Sequence, residues 1–217
     1  MITFPAEAFL VLGSGTFGVD PDEATAFRMM DYYQARGGRI LDSARCYPPP
    51  REGESERIIG RWLNARGCRH EFLISTKGGH PPLDQMDRPR LSSQEISQDI
   101  EESRQALGVD CIDLYWLHRD DENRAIEELL HLLENLRERG WIRHYGASNF
   151  SVARLREAAS VARIHGWEGF SAHQPMGCLG ARYRKPMDIP LLTILDEEGE
   201  RFHQESELRI TFCGENV

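Results

Sequence analysis

In this sequence, several short apolar runs in succession are each followed directly by a polar side chain. Asp42, Lys77 and His118 each come directly after such a run, and Tyr47 lies five residues beyond Asp42. If the runs are parallel strands, their carboxyl ends meet at one edge of the sheet and these side chains converge. A polar group at several consecutive strand ends therefore indicates a common site.

The four side chains could form a proton-donating site. A tyrosine hydroxyl titrates near ~10 in water. A lysine ammonium beside Tyr47 favours the phenolate and lowers that pKa, and the Asp42 carboxylate keeps Lys77 charged and oriented. His118 could hydrogen-bond a substrate carbonyl oxygen. The set predicts a proton donor that is usable near neutral pH.

A second group of polar residues follows the next two runs. Ser148 and Asn149 come after the fifth run, and Gln174 ends the sixth. Their hydroxyl and amide groups are suited to hold a carboxamide. A proton donor beside a carboxamide-binding group indicates carbonyl reduction with a nicotinamide cofactor.

The elements that position these residues alternate along the chain. Ser92-x-x-Glu95 is a capping box, and glycines such as Gly108 and Gly166 end the helical patterns. Strands alternating with helices predict a parallel sheet covered by helices. The glycine-rich segment 13–18 lacks the dinucleotide-binding spacing, which favours a barrel over a doubly wound sheet. The predicted strands are 9–12, 39–41, 72–76, 112–117, 142–147, 170–174 and 208–212, and the predicted helices are 22–36, 55–66, 92–107, 123–139 and 152–165.

Composition and charge narrow the class of protein. The 217 residues are 40% hydrophobic, which suits one globular domain spanning 1–217. A net charge of -9 disfavours nucleic acids and anionic membranes as partners, and no run is long and apolar enough to cross a bilayer. Five scattered cysteines form no CxxC pair and the histidines show no ligand spacing, so no metal is expected. Free thiols without a secretory signal indicate the cytoplasm.

Several motifs in order make this sequence resemble the aldo-keto reductase family. The resemblance runs from residue 10 to about residue 212. The matching segments are LGSGTFG at 12–18, DSARCY at 42–47, GESE at 53–56, STK at 75–77, DLYWLH at 113–118, GASNF at 146–150 and HQP at 173–175.

The resemblance implies a (β/α)8 TIM barrel that reduces an aldehyde or ketone to an alcohol with NADPH, less often NADH, and without a metal. Tyr47 matches the proton donor of the family, Lys77 and Asp42 match its supporting residues, and His118 matches the residue that orients the carbonyl. The partner is then a small carbonyl substrate.

The resemblance also implies a nicotinamide site. Ser148, Asn149 and Gln174 match the residues that hold the carboxamide, and Phe212 is the nearest match to the aromatic residue that stacks on the nicotinamide.

Two departures from the family leave alternatives open. The sequence lacks the eighth strand, the C-terminal helices and the basic segment that grips the adenosine phosphates, so it is interpreted as an incomplete barrel. Pro48, Pro49 and Pro50 follow Tyr47 where the family usually turns through a glycine. The chain is either a reductase or a non-catalytic binding or interaction subunit, and its open barrel edges could support self-association.

Overall fold

The computed structural model describes residues 10–177 and 192–213, in which strands and helices alternate. The strands are β1 (Leu12–Gly13), β2 (Ile40–Asp42), β3 (Leu73–Gly78), β4 (Ile112–Leu117), β5 (Ile142–Ser148), β6 (Ala172–Gln174) and β7 (Arg209–Ile210). The helices are α1 (Glu23–Ala35), α2 (Glu54–Arg66), α3 (Ser93–Leu107), α4 (Ile126–Glu138), α5 (Val152–His165) and α6 (Glu197–Glu205).

The seven strands form one parallel sheet in chain order, and the sheet is curled. In a flat sheet β2 and β6 would lie four strand spacings apart, roughly 19 Å. Instead Gln174 Nε2 at the end of β6 lies 3.4 Å from Asp42 Oδ2 at the end of β2. The sheet therefore closes far enough for its strand ends to face each other. The predicted barrel-type fold is confirmed.

Residues at the helix ends explain where several helices begin and stop. Ser92 accepts a hydrogen bond from Glu95 N while the Glu95 side chain accepts from Ser92 N, the predicted capping box. Gly108 and Gly166 end α3 and α5 in the left-handed conformation, which glycine adopts without steric cost. Among the described helices, none combines the length and the apolar character needed to cross a bilayer.

The apolar core lies mainly between the helices and the outer face of the sheet. In β4, Tyr115 and Leu117 belong to this outer cluster. Leu114 and Trp116 point to the other face and form a small cluster inside the curl with Ala172. This alternation follows from the two-residue repeat of a strand, and both faces of β4 are buried, as expected in a sheet covered by helices.

The elements depart from the predictions in several places, and β6 and β7, for example, are shorter than the strands predicted at 170–174 and 208–212. The helix predicted at 123–139 begins at Ile126, because Asp121 Oδ1 accepts from Asn123 N and holds a turn there. The first strand is Leu12–Gly13, and residue 9 of the predicted strand lies outside the described residues. Helix α6 was not predicted because its sequence is mostly charged and only Phe202 is a buried apolar anchor. Its signal is Asp196, whose side chain caps Gly199 N at 2.8 Å.

Two histidines join α6 to the sheet. His173 Nδ1 lies 2.9 Å from His203 Nε2, and the rings are stacked. His203 Nδ1 donates to the carbonyl of Leu208, so the neutral His203 Nε2 is the acceptor and His173 the donor. Burial, followed by the charge of His203, lowers the pKa of His173 to about 3. The contact therefore requires a neutral His203 as acceptor, and burial keeps His173 neutral as well.

The lowered pKa of His173 predicts that the stability of the fold depends on pH. The unfolded chain takes up protons on His173 below about pH 6.5, whereas the folded chain does not. The contribution of neutral His173 to the free energy of unfolding is complete above about pH 6.5, and it is lost as the pH falls towards about 3. Between about pH 6 and pH 5 the free energy of unfolding should fall by up to about 1.4 kcal/mol per pH unit from this residue. Urea titrations of the wild type and His173→Gln should show a shallower slope in the variant, with exposed His70→Gln as control. Equal slopes would contradict this prediction.

Candidate active site

Asp42 and Lys77 form a buried ion pair at the ends of two neighbouring strands. Lys77 Nζ donates to Asp42 Oδ2 and to the carbonyl of Ser43, the latter at 2.8 Å. Ser75 Oγ donates to the other carboxylate oxygen of Asp42. Lys77 is only 1% exposed. A buried ammonium needs such partners, because a charge without them is costly in a protein interior.

Tyr47 lies on the loop after β2, with its ring beside this pair. Lys77 Nζ is 5.6 Å from the centroid of the Tyr47 ring. The ring also packs over Gly15, where an added Cβ would lie 3.8 Å from Tyr47 Cε2. The loop is fixed by a hydrogen bond from Ser55 N to the Tyr47 carbonyl.

The pKa of Tyr47 departs from the sequence expectation. Lys77 was expected to lower it, but burial raises it, and the neighbouring Cys46 and Asp42 raise it further. Burial removes the phenolate from water, and Asp42, the carboxylate that pairs with Lys77, adds a negative charge near it. The phenol therefore holds its proton over the physiological pH range.

His118 follows β4 and presents its ring edge-on to Tyr47, with 5.8 Å between the ring centroids. Its backbone N–H donates to the carbonyl of Gly78 at 2.9 Å, which fixes the residue to the end of β3. The ring is buried, and burial, followed by the charge of Arg119, holds its pKa well below the usual range. His118 is therefore a neutral imidazole with one N–H to donate.

The predicted carboxamide-binding residues are linked to one another. Ser148 Oγ donates to the carbonyl of Gln174 at 2.9 Å and accepts from Asn149 Nδ2 at 3.0 Å. Asn149 Nδ2 also donates to the carbonyl of His118 at 3.1 Å, and Asn149 Oδ1 accepts from Thr193 N. Both amide hydrogens of Asn149 are thus used inside the protein.

Gln174 differs from its two neighbours because its side-chain oxygen is free. Gln174 Oε1 is buried without a hydrogen-bond partner among the described residues, and Nε2 reaches Asp42 Oδ2 only at 3.4 Å. The amide lines a cavity of about 410 Å³ together with Asp42, Ser75 and Trp116. A buried acceptor without a partner, on a residue that lines a cavity, fits the N–H of a nicotinamide carboxamide.

Seven of the eight predicted site residues are linked in a continuous ring of contacts. It runs from Asp42 through Lys77, Tyr47, His118, Asn149, Ser148 and Gln174 and back to Asp42. The eighth, Phe212, is 51% exposed and packs against Gly177, where an added Cβ would lie 2.5 Å from its ring. The structure therefore places it after β7 with about half of its side chain exposed, outside the contacts that link the other seven.

Three residues near the site were given no role by the sequence. Arg154 on α5 pairs with Asp120 at 2.9 Å and holds the loop that follows His118. Cys46 Sγ lies 3.8 Å from His118 Nδ1, and the rings of His80 and His118 are 4.7 Å apart. Burial raises the pKa of Cys46 to about 12, so its sulfur is a protonated thiol. Only three-dimensional proximity, not spacing along the chain, identifies these neighbours.

Comparisons with known proteins agree with the motifs. A model of the Aldo/keto reductase family matches residues 9–182. The chain is 33% identical to aldo-keto reductase str7 of Strobilurus tenacellus, covering 70% of this chain and 42% of that protein. It is 34% identical to the uncharacterized oxidoreductase YrpG of Bacillus subtilis (strain 168), with 76% and 52% covered. It is 32% identical to the aldo-keto reductase yakc [NADP(+)] of Schizosaccharomyces pombe, with 73% and 46% covered. The chain spans about half the length of these relatives.

Proposed function

The chain belongs to the aldo/keto reductase family, and from that premise we propose that it reduces an aldehyde or ketone to an alcohol with NADPH. The observation that carries the proposal is the ring of contacts that links these seven residues around the strand ends, five of the contacts between side chains and two to backbone carbonyls. It brings together a protonated phenol, a neutral imidazole and an amide oxygen that has no hydrogen-bond partner in the described part of the chain. These are a proton donor, a carbonyl-binding group and a carboxamide acceptor.

Tyr47 is proposed to transfer its hydroxyl proton to the carbonyl oxygen. A reduced nicotinamide, when bound, supplies the hydride that the carbonyl carbon accepts. The Lys77 ammonium lies over the face of the Tyr47 ring, 5.6 Å from its centroid, beside the phenolate that remains. Because Lys77 is held by Asp42 and Ser43, its charge is positioned before the proton moves.

His118 is proposed to orient the carbonyl. A neutral imidazole donates one hydrogen bond to the substrate oxygen without competing with Tyr47 as an acid. Its ring stands nearly perpendicular to the Tyr47 ring, at 87°, so both groups reach the same region.

Gln174 is proposed to recognise the cofactor. Its Oε1, which has no hydrogen-bond partner among the described residues, would accept from the carboxamide N–H, and its weakly held Nε2 would donate to the carboxamide oxygen. Ser148 and Asn149 position Gln174 and His118, because their own donors are already engaged. NADPH is favoured over NADH because the relative yakc carries NADP(+) in its name.

Gln174→Leu should weaken NADPH binding about tenfold, the effect of removing a hydrogen-bonding group worth ~1.4 kcal/mol. Cofactor fluorescence measured against NADPH concentration gives the dissociation constant. Gln105→Leu, an exposed glutamine on α3, is the matched control and should bind as the wild type does. Unchanged affinity in Gln174→Leu would remove this residue from the proposed cofactor site.

The same titration tests the proposed function against its alternative. Saturable NADPH binding by the 217-residue chain, followed by NADPH oxidation with small aldehydes, supports a reductase. A folded chain that binds no NADPH supports a non-catalytic interaction subunit.

Self-association and location complete the proposal. Among the described strands, β1 and β7 each have one neighbour, so each leaves an edge for pairing with another copy. The native mass, recorded with the titration, tests this. The cysteines described as free suit a reducing cytoplasm.

A further inference from the structure

Three potential metal ligands converge beside Tyr47 from three different loops. Cys46 follows β2, His80 follows β3 and His118 follows β4. One ligand atom from each lies within 4.8 Å of the other two. The three residues are far apart in the sequence, so no spacing motif reveals them.

The distances fit a thiolate and imidazole site after small side-chain adjustments. With Zn–S near 2.3 Å and Zn–N near 2.0–2.1 Å, tetrahedral ligand atoms lie about 3.5 Å apart. Cys46 Sγ and His118 Nδ1 are already 3.8 Å apart. The remaining separations of up to 4.8 Å need shifts of about 1 Å.

His80 already has the outer hydrogen bond that orients a ligating imidazole. Its Nδ1 lies 2.7 Å from the carbonyl of Pro81, which can only accept, so Nδ1 carries the proton and Nε2 is left with its lone pair. A metal-bound histidine commonly donates its second ring N–H to a backbone carbonyl in this way. The loop is fixed by Gly79 N, which donates to Asp99 Oδ2 at 2.8 Å.

An ion could reach Cys46 and His80 from solvent. Cys46 and His80 are half-buried and line a cavity of about 290 Å³. Lys77 lines the same cavity, but its charge is compensated by Asp42. The combination of one sulfur and two imidazoles favours a soft or borderline cation over magnesium or calcium.

We propose that Cys46, His80 and His118 form a binding site for a thiophilic divalent cation such as Zn²⁺. Binding replaces the thiol proton of Cys46, which is released to solvent, and forms one S–metal and two N–metal bonds. Water completes the fourth position. The bound cation withdraws His118 from the carbonyl and places positive charge beside Tyr47. This inhibitory consequence rests on the proposed function, whereas binding itself does not.

Cobalt titration of the full chain tests binding directly. Co²⁺ should produce a thiolate-to-cobalt charge-transfer band that saturates at one equivalent and disappears on adding Zn²⁺. Cys46→Ser and His80→Gln should lose the band. Cys111→Ser and His70→Gln, which alter a cysteine and a histidine outside the cluster, should retain it. Circular dichroism checks that each variant is folded, and Cys46→Ala replaces any unfolded Cys46→Ser.

The possible results test the metal site and the proposed reductase function independently of each other. No cobalt band in the wild type, or a band that persists without Cys46, overturns the site whether or not the chain reduces carbonyls. If the chain is a reductase, Zn²⁺ should inhibit it reversibly with a chelator, and His80→Gln should keep its activity and lose at least tenfold in sensitivity to Zn²⁺. Equal sensitivity would overturn the inhibitory role.

Discussion

Tyr47→Phe is expected to lower the rate of carbonyl reduction about 10²- to 10⁴-fold, the range that a positioned proton donor contributes. The substitution removes only the hydroxyl. The ring that remains still packs over Gly15 and beside His118, so the loop and the cavity keep their shape. Because the hydroxyl is proposed to act on the substrate and not on the cofactor, NADPH should bind with nearly unchanged affinity.

Single-turnover NADPH oxidation and a fluorescence titration measure these two effects separately. Tyr32→Phe is the matched control, since Tyr32 is 63% exposed on α1 and should change neither. Retained turnover in Tyr47→Phe would assign the proton to another group. Lost NADPH binding would show that Tyr47 supports the cofactor site.

The strand-end residues explain why much of the site is predictable from sequence. Asp42, Lys77 and Gln174 each end or nearly end a strand, and a curled parallel sheet brings such ends together whatever the intervening helices contain. The order of the strands follows equally, because each is separated from the next by a helical connection that places parallel strands side by side.

Properties that depend on several contacts at once were not predictable in the same way. The pKa of Tyr47 is set by burial together with the neighbouring Cys46 and Asp42, and the sequence shows only that a lysine is near. The backbone of Asn149 is in the left-handed region, with a φ of 62°. Asparagine tolerates this conformation, but the presence of an asparagine in the sequence does not predict it. Helix α6 carries too few apolar residues to show the periodicity of an amphipathic helix in the sequence.

Lys77→Met is expected to destabilise the fold by roughly 3–5 kcal/mol, because it leaves the Asp42 carboxylate buried without its counter-charge. Asp42 would retain Ser75 Oγ and the distant Gln174 Nε2, which are neutral donors. Asp42→Asn should destabilise similarly, since Lys77 would then keep only the Ser43 carbonyl and a neutral amide.

The double variant tests whether the loss of stability comes from breaking the ion pair or from losing each residue independently. Asp42→Asn with Lys77→Met buries no net charge, so it should lose several kcal/mol less than the sum of the two single variants in urea unfolding. The exposed ion pair of Arg57 and Glu54 provides the control, since Arg57→Met should cost less than about 1 kcal/mol. Additive losses at positions 42 and 77 would mean that the two side chains are held independently. Lys77 would then owe its position to the Ser43 carbonyl, and the charge beside Tyr47 would not depend on Asp42.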